Sequence, residues 1–120
     1  MGFNRRRFEA VWGALALCAL WPMAQAQTPW PSKSLRIVVP FAPGSFTDLS
    51  ARALALELGD QLGQQVVVEN KGGAGGTIGA DAVAKSAPDG HTLLLTDNSF
   101  VMAAGLYPRL PFDPQKDFAQ

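Results

Sequence analysis

Three short apolar runs separated by two stretches of helical period constrain this 120-residue chain more than any other feature. Leu35-Arg36-Ile37-Val38-Val39 ends at Pro40, Gln65-Val66-Val67-Val68-Glu69 ends ahead of a glycine-rich loop, and Thr92-Leu93-Leu94-Leu95-Thr96 repeats the pattern. Short runs of valine, isoleucine and leucine, with little polar alternation, fit strands buried on both faces. Between them, residues 47–62 and 77–86 carry helix patterns, and a third helix is expected from about Ser99. Strand and helix in regular alternation predict an α/β fold, a parallel sheet with right-handed crossovers. The three strand-to-helix loops, residues 40–47, 70–77 and 96–99, then share the edge at which open α/β sheets bind ligands.

Local chemistry supports these boundaries. Ser45 or Thr47 can cap the first helix, Asp48 lies in its first turn and Gly63 follows its end. At about 100° per residue, Leu49, Ala53 and Leu56 form one stripe, and Leu54, Leu58 and Leu62 form another nearly opposite. One stripe is expected on the sheet and the other against a second partner. The second helix is rich in small residues (Gly79, Ala80, Ala82, Ala84), which allows a close approach to its sheet. Ala87-Pro88-Asp89-Gly90 predicts a turn, with Pro88 stopping the helix and Gly90 free to take a positive φ. The tail, with Pro108, Pro111 and Pro114, closes on no element of its own.

The first 26 residues are a different kind of sequence. Arg5-Arg6-Arg7 supplies a basic region, residues 11–21 are apolar, and Ala24-Gln25-Ala26 is a small-x-small site, which together predict a secretory signal cleaved after Ala26. The apolar run is too short for the roughly 20 residues of a spanning helix. Arg5-Arg6-Arg7-Phe8 also resembles a twin-arginine export pattern, so either export route leads out of the cytoplasm. The lone Cys18 lies in this segment, leaving no disulfides. Three of the ten basic and one of the ten acidic residues lie there too, leaving seven against nine in residues 27–120. That balance argues against nucleic acid as a partner.

Two loops carry binding chemistry. Asn70-Lys71-Gly72-Gly73-Ala74-Gly75-Gly76-Thr77-Ile78-Gly79 opens a helix at the ligand edge; it fits a flexible loop with tight helix packing, and better a site whose backbone N–H groups meet an anion. A P-loop would need lysine and then serine or threonine after the last glycine, whereas Gly76 is followed by Thr77-Ile78. The dinucleotide pattern counted from Gly73 and Gly75 needs a third glycine where Ile78 stands; Gly79 leaves only a looser variant. In the first loop, Gly44 and Ser45 fit an ordinary strand-to-helix turn as well as an amide nest for a carboxylate, with Thr47 adding a hydroxyl. Asp48 fits a helix-dipole role, or contact with an ammonium or bridging water. His91 is the only histidine, and Ser45 is in no nucleophile elbow, so no catalytic set or metal site is assembled.

The ordered motifs resemble the tripartite tricarboxylate transporter substrate-binding proteins, the Bug or TctC-like family. They are Pro31-Ser32-Lys33; Val39-Pro40-Phe41-Ala42-Pro43-Gly44 with Thr47-Asp48; Val66-Val67-Val68-Glu69-Asn70 with Gly73-Ala74-Gly75-Gly76; Ala87-Pro88-Asp89-Gly90 with Leu93-Leu94-Leu95; and Leu110-Pro111-Phe112-Asp113 with Lys116-Asp117-Phe118. The resemblance implies a non-enzymatic periplasmic receptor without cofactor, in which two α/β domains close on a small carboxylate and present it to membrane components of the transporter. Residues 27–120 would be the N-terminal part of the first domain, truncated. Carried over by position, it implies ligand contacts at Gly44, Ser45, Thr47 and Asp48, at Gly75, Gly76 and Thr77, and at Asn98 and Ser99. One departure is Ser45-Phe46, where many members carry a glycine run; a phenylalanine there would narrow the pocket or add an apolar wall. The alternative reading is an exported α/β enzyme binding a nucleotide cofactor through the glycine loop.

Overall fold

The structure, a computed structural model, describes residues 29–119; the signal segment, Cys18 and the Ala26 cleavage site lie outside the described residues. The elements follow the expected alternation: β1 (Leu35–Val39), α1 (Phe46–Leu62), β2 (Val66–Asn70), a short 3-10 turn (Ala74–Gly76), α2 (Thr77–Ala84), β3 (Thr92–Leu94) and α3 (Ser99–Leu106). The last strand and second helix stop two residues before their expected ends, although Leu95 N still donates to Val38 O at 3.0 Å. Neighbours from all three strands are parallel, in the order β2-β1-β3.

Placing β1 centrally explains its composition. Leu35, Ile37, Val38 and Val39 are all buried, because a central strand presents both faces to helices. Ile37 and Val39 meet Ala51 and Ala55 of α1, with Phe41, Leu58, Val66, Val68 and Leu95 packed around them. Val38 and Pro40 alternate to the other face, where an alanine Cβ at Gly79 of α2 would lie 2.9 Å from Pro40 Cβ. The two helices therefore cover opposite faces of the sheet.

α1 corrects the stripe expectation. The face it buries is Thr47, Asp48, Ala51 and Ala55, continued by half-buried Leu58, whereas Leu49, Ala53 and Leu56 face outward. Of the second stripe, Leu58 packs on the core and Leu54 is exposed. The physical reason is size: two alanines four residues apart let the helix axis approach β1 more closely than leucines would. A helix apolar on several sides gives little directional signal from its leucines.

As expected, the described tail forms no helix or strand, yet it packs against α3. Phe100 of α3, Phe112 and Phe118 form a three-ring cluster, with Phe100 and Phe112 stacked at 6.0 Å and Phe118 edge-on to both at 5.2 and 5.7 Å. Phe112 is buried by this arrangement. Asp113 holds the turn behind it, accepting from the amides of Gln115 and Lys116.

Candidate functional site

The order β2-β1-β3 puts a topological switch point between β1 and β3, where chain connections leave the sheet in opposite directions. In sheets of this kind the crevice outside the carboxyl ends of the strands is the ligand site. The loops after β1, β2 and β3 all end there.

The first loop is built around the α1 cap. Gly44 takes φ +83°, turning the chain so that Ser45 becomes the N-cap, with its Oγ accepting from Asp48 N at 3.2 Å. The expected choice between Ser45 and Thr47 is thus resolved for Ser45. The first intrahelical bond runs from Leu49 N to Ser45 O at 3.0 Å, so the amides of Phe46 and Thr47 precede the helical ladder. Thr47 itself is buried.

Asp48 is 2% exposed and both carboxylate oxygens are engaged by protein donors. Oδ2 accepts from Gly44 N at 2.8 Å and Arg52 Nε at 3.1 Å, and Oδ1 accepts from Asn70 Nδ2 at 2.9 Å. Arg52 Nη2 also donates to Asn70 Oδ1 at 3.2 Å, and Asn70 Nδ2 to Phe41 O at 3.2 Å. The side-chain hydrogen bond from Arg52, then the Gly44 amide and Asn70, hold the Asp48 carboxyl at about 2. Asp48, Arg52 and Asn70 therefore clasp the first loop to the end of β2. The Arg52 guanidinium offsets a carboxylate charge that would otherwise oppose an anion at the α1 N-terminus.

The second loop climbs from Lys71 through glycines of positive φ into α2. Thr77 Oγ1 donates to Ala74 O at 2.9 Å and closes the 3-10 turn. At Gly75 an added Cβ would sit 3.0 Å from the Tyr107 hydroxyl, at the end of α3. Gly79 is hemmed in by backbone: a Cβ there would lie 2.8 Å from Lys71 O and 3.0 Å from Pro40 Cα. Its smallness seats the α2 N-terminus directly on the ends of β1 and β2.

The third loop turns on Asp97, whose Oδ1 accepts from Ser99 N at 2.8 Å. The adjacent Ser99 side chain, then the Ser99 amide that donates to it, lower the Asp97 carboxyl below the ordinary range. Asn98 is exposed and heads α3, its carbonyl accepting from Met102 N at 3.1 Å. Gly75, Gly76, Thr77 and Ser99 line one small pocket with Thr96, Phe100 and Phe112, of about 10 Å³. That volume holds about one water molecule, so a carboxylate would have to sit on the open edge above it. Gly44, Ser45 and Asp48 are brought to the second loop through Asn70 rather than through that pocket. His91 is buried at the opposite end of the sheet, against Trp30 at 5.8 Å. Among the described residues no group of three or more His, Cys, Asp or Glu could hold a metal ion.

Arg52, Asn70 and Asp97 were not among the expected site residues. The pair Asp48 and Arg52 was legible as an i,i+4 ion pair on a helix, and Asp97 as an Asx turn ahead of Ser99. Asn70 gave no local signal, because its partners come from elsewhere in the chain.

Comparison with known proteins decides what this edge belongs to. Residues 50–120 match the family model described as TctC, tripartite tricarboxylate transporter family receptor. The chain belongs to this receptor family. The Bordetella pertussis (strain Tohama I) protein BugT is 46% identical over 95% of this chain and 36% of its own length. The solved periplasmic binding protein BugD is 47% identical and superimposes with a TM-score of 0.71, over 74% of this chain and 30% of BugD. MatC from Rhodopseudomonas palustris, solved with bound malate, is 44% identical with a TM-score of 0.67, over 74% of this chain and 31% of MatC. The receptor chain thus spans about a third of the length of these relatives, and its fold is the α/β fold of periplasmic binding proteins.

Proposed function

We propose that this receptor chain is the N-terminal part of the first of two domains that capture a small carboxylate outside the cytoplasm. After export and cleavage behind Ala26, the protein would work in the periplasm and present its ligand to the membrane components of a tripartite tricarboxylate-type transporter. Backbone amides at helix N-termini hold the carboxylate, and no catalytic group is needed. The observation that carries the reading is the convergence, at one sheet edge, of the α1 first turn and the glycine loop that opens α2.

Gly44, Ser45, Thr47, Gly75, Gly76, Thr77, Asn98 and Ser99 form the ligand edge. Asp48 acts in the same site as a positioning residue, fixing the first loop against Asn70. The malate in MatC supports a carboxylate as the ligand class. A hydrogen bond to a charged group contributes about 1.5–3 kcal/mol, so four would give roughly 6–12 kcal/mol before an association cost of at least ~4 kcal/mol. The upper part of that range reaches micromolar affinity, about −8 kcal/mol.

The test is a thermal-shift panel on the full-length protein with di- and tricarboxylates, acidic amino acids, aromatic carboxylates and nicotinamide nucleotides. A carboxylate at about a hundred times its dissociation constant should stabilise by roughly 2.7 kcal/mol, a shift of a few degrees. A shift with nucleotides alone would replace the receptor reading with a nucleotide-binding one.

A further inference from the structure

We propose that Tyr107 is a positioning residue that braces the glycine loop in the shape that receives a carboxylate; this rests on the carboxylate-receptor reading above. The loop needs such a brace. Ala74 has φ +47° and Gly75 φ +64°, and a left-handed backbone disfavours an alanine by roughly a factor of five to thirty. Thr77 holds one side of the turn, its hydroxyl and its amide both donating to Ala74 O. Both bonds lie within the loop, so neither ties its tip to the rest of the molecule.

The tie comes from the end of α3. An alanine Cβ at Gly75 would lie 3.0 Å from the Tyr107 hydroxyl and 3.8 Å from Cε2 and Cζ of its ring. The tip of the tyrosine therefore fills the place that a side chain would take, and glycine is needed there twice, for its φ and for this contact. The tyrosine is itself anchored from both sides. Its amide donates to Ala103 O at 3.0 Å, and Ala103 is buried beside the small pocket that Gly75 and Gly76 line. Pro108 follows directly, which keeps Tyr107 in extended backbone at φ −94° and ψ 120°.

Tyr107 remains 45% exposed, so the ring gives the core little and the loop a fixed wall. A loop that samples other shapes binds with an affinity reduced by the fraction of time it is competent. Without the brace, relaxation of Ala74 and Gly75 sets that fraction.

The experiment combines peptide-resolved hydrogen exchange of residues 70–80 with titration calorimetry of malate and adipate, on the full-length wild-type protein, Tyr107→Ala, Tyr107→Phe and Leu106→Ala. Tyr107→Ala is expected to speed ligand-free exchange of the loop and to weaken the dicarboxylate, each about fivefold. Tyr107→Phe, which keeps the ring, should fall between it and wild type. Leu106→Ala alters an exposed neighbour and should change neither. A double-mutant cycle separates the contact from general destabilisation. Gly75→Ala should weaken binding about threefold more by itself than on top of Tyr107→Phe, because the φ strain is common to both backgrounds and cancels. The cycle also serves if Tyr107→Ala is poorly folded. Unchanged loop exchange in Tyr107→Ala, or an equal effect of Gly75→Ala in both backgrounds, would overturn the proposal. Faster exchange with unchanged affinity would overturn it too, while leaving the receptor reading standing with the carboxylate held elsewhere. Wild-type protein that binds neither dicarboxylate would count against the receptor reading, and the exchange measurement, which needs no ligand, would still decide whether Tyr107 braces the loop.

Discussion

Replacing Gly79 by alanine separates two effects that usually act together. In a helix interior alanine is favoured over glycine by about 1 kcal/mol, so a helix with free space around it gains stability. At Gly79 the added Cβ would meet Lys71 O at 2.8 Å, Pro40 Cβ at 2.9 Å and Pro40 Cα at 3.0 Å. Two of these are backbone atoms and the third belongs to a proline ring, so no side-chain rotation relieves the overlap. Overpacking of this kind costs about 1–3 kcal/mol, which meets or exceeds the propensity gain. The net expectation for Gly79→Ala is a loss of up to about 2 kcal/mol, with α2 pushed away from the ends of β1 and β2. Gly105 of α3 provides the contrast, because a Cβ there meets nothing within 4 Å. Gly105→Ala should therefore stabilise by about 0.5–1 kcal/mol. Urea denaturation of both variants in the full-length protein reads the two signs, and carboxylate titration reads displacement of the glycine loop. A Gly79→Ala protein stabilised to the same extent as Gly105→Ala would refute the claim that α2 is seated by that contact.

Two further outcomes follow from the first loop. Ser45→Ala removes the acceptor for Asp48 N and should cost about 1 kcal/mol, while Ser45→Gly should cost only a few tenths; equal losses in denaturant midpoint would count against a capping role. The Asp48 carboxyl is held at about 2 in the fold against 3.8 ordinarily. A depressed folded value means that the unfolded chain binds the proton first, so the stabilisation is complete above about pH 4 and is lost as pH falls toward 2. Asp48→Asn should flatten the fall in stability between those values; Asp89, held at about 2 chiefly by Lys33, keeps its own share in both proteins. An unchanged acid profile in Asp48→Asn would show that the clasp contributes nothing to stability.

Family membership was legible because its motifs are short, ordered and local: a turn, a glycine loop, an Ala-Pro-Asp-Gly corner. Strand and helix boundaries were legible to within about two residues for the same reason, since valine and leucine runs, a cap at Ser45 or Thr47 and Gly63 act within a few residues of themselves. The face of α1 was not. Ala51 and Ala55 carry weak hydrophobic signal but small volume, and only the approach of a sheet turns small volume into burial. The tail's three-phenylalanine cluster was hidden likewise, because Phe100 lies twelve residues from Phe112 and their pairing depends on how the chain folds back.

By itself, then, the sequence determined the alternation of elements, the place where the first helix is capped, the glycine loop and the sheet edge to which three loops lead. Tertiary structure decided the strand order β2-β1-β3, which creates the switch point between β1 and β3. It also decided which residues work as ligand edge and which as support: Asp48, Arg52 and Asn70 become one clasp only when β2 is laid beside β1. The division has one physical cause. Propensities, caps and turns are set by interactions between near neighbours in the chain, while strand order, helix face and the partners of a buried carboxylate depend on contacts that exist only after distant segments have met.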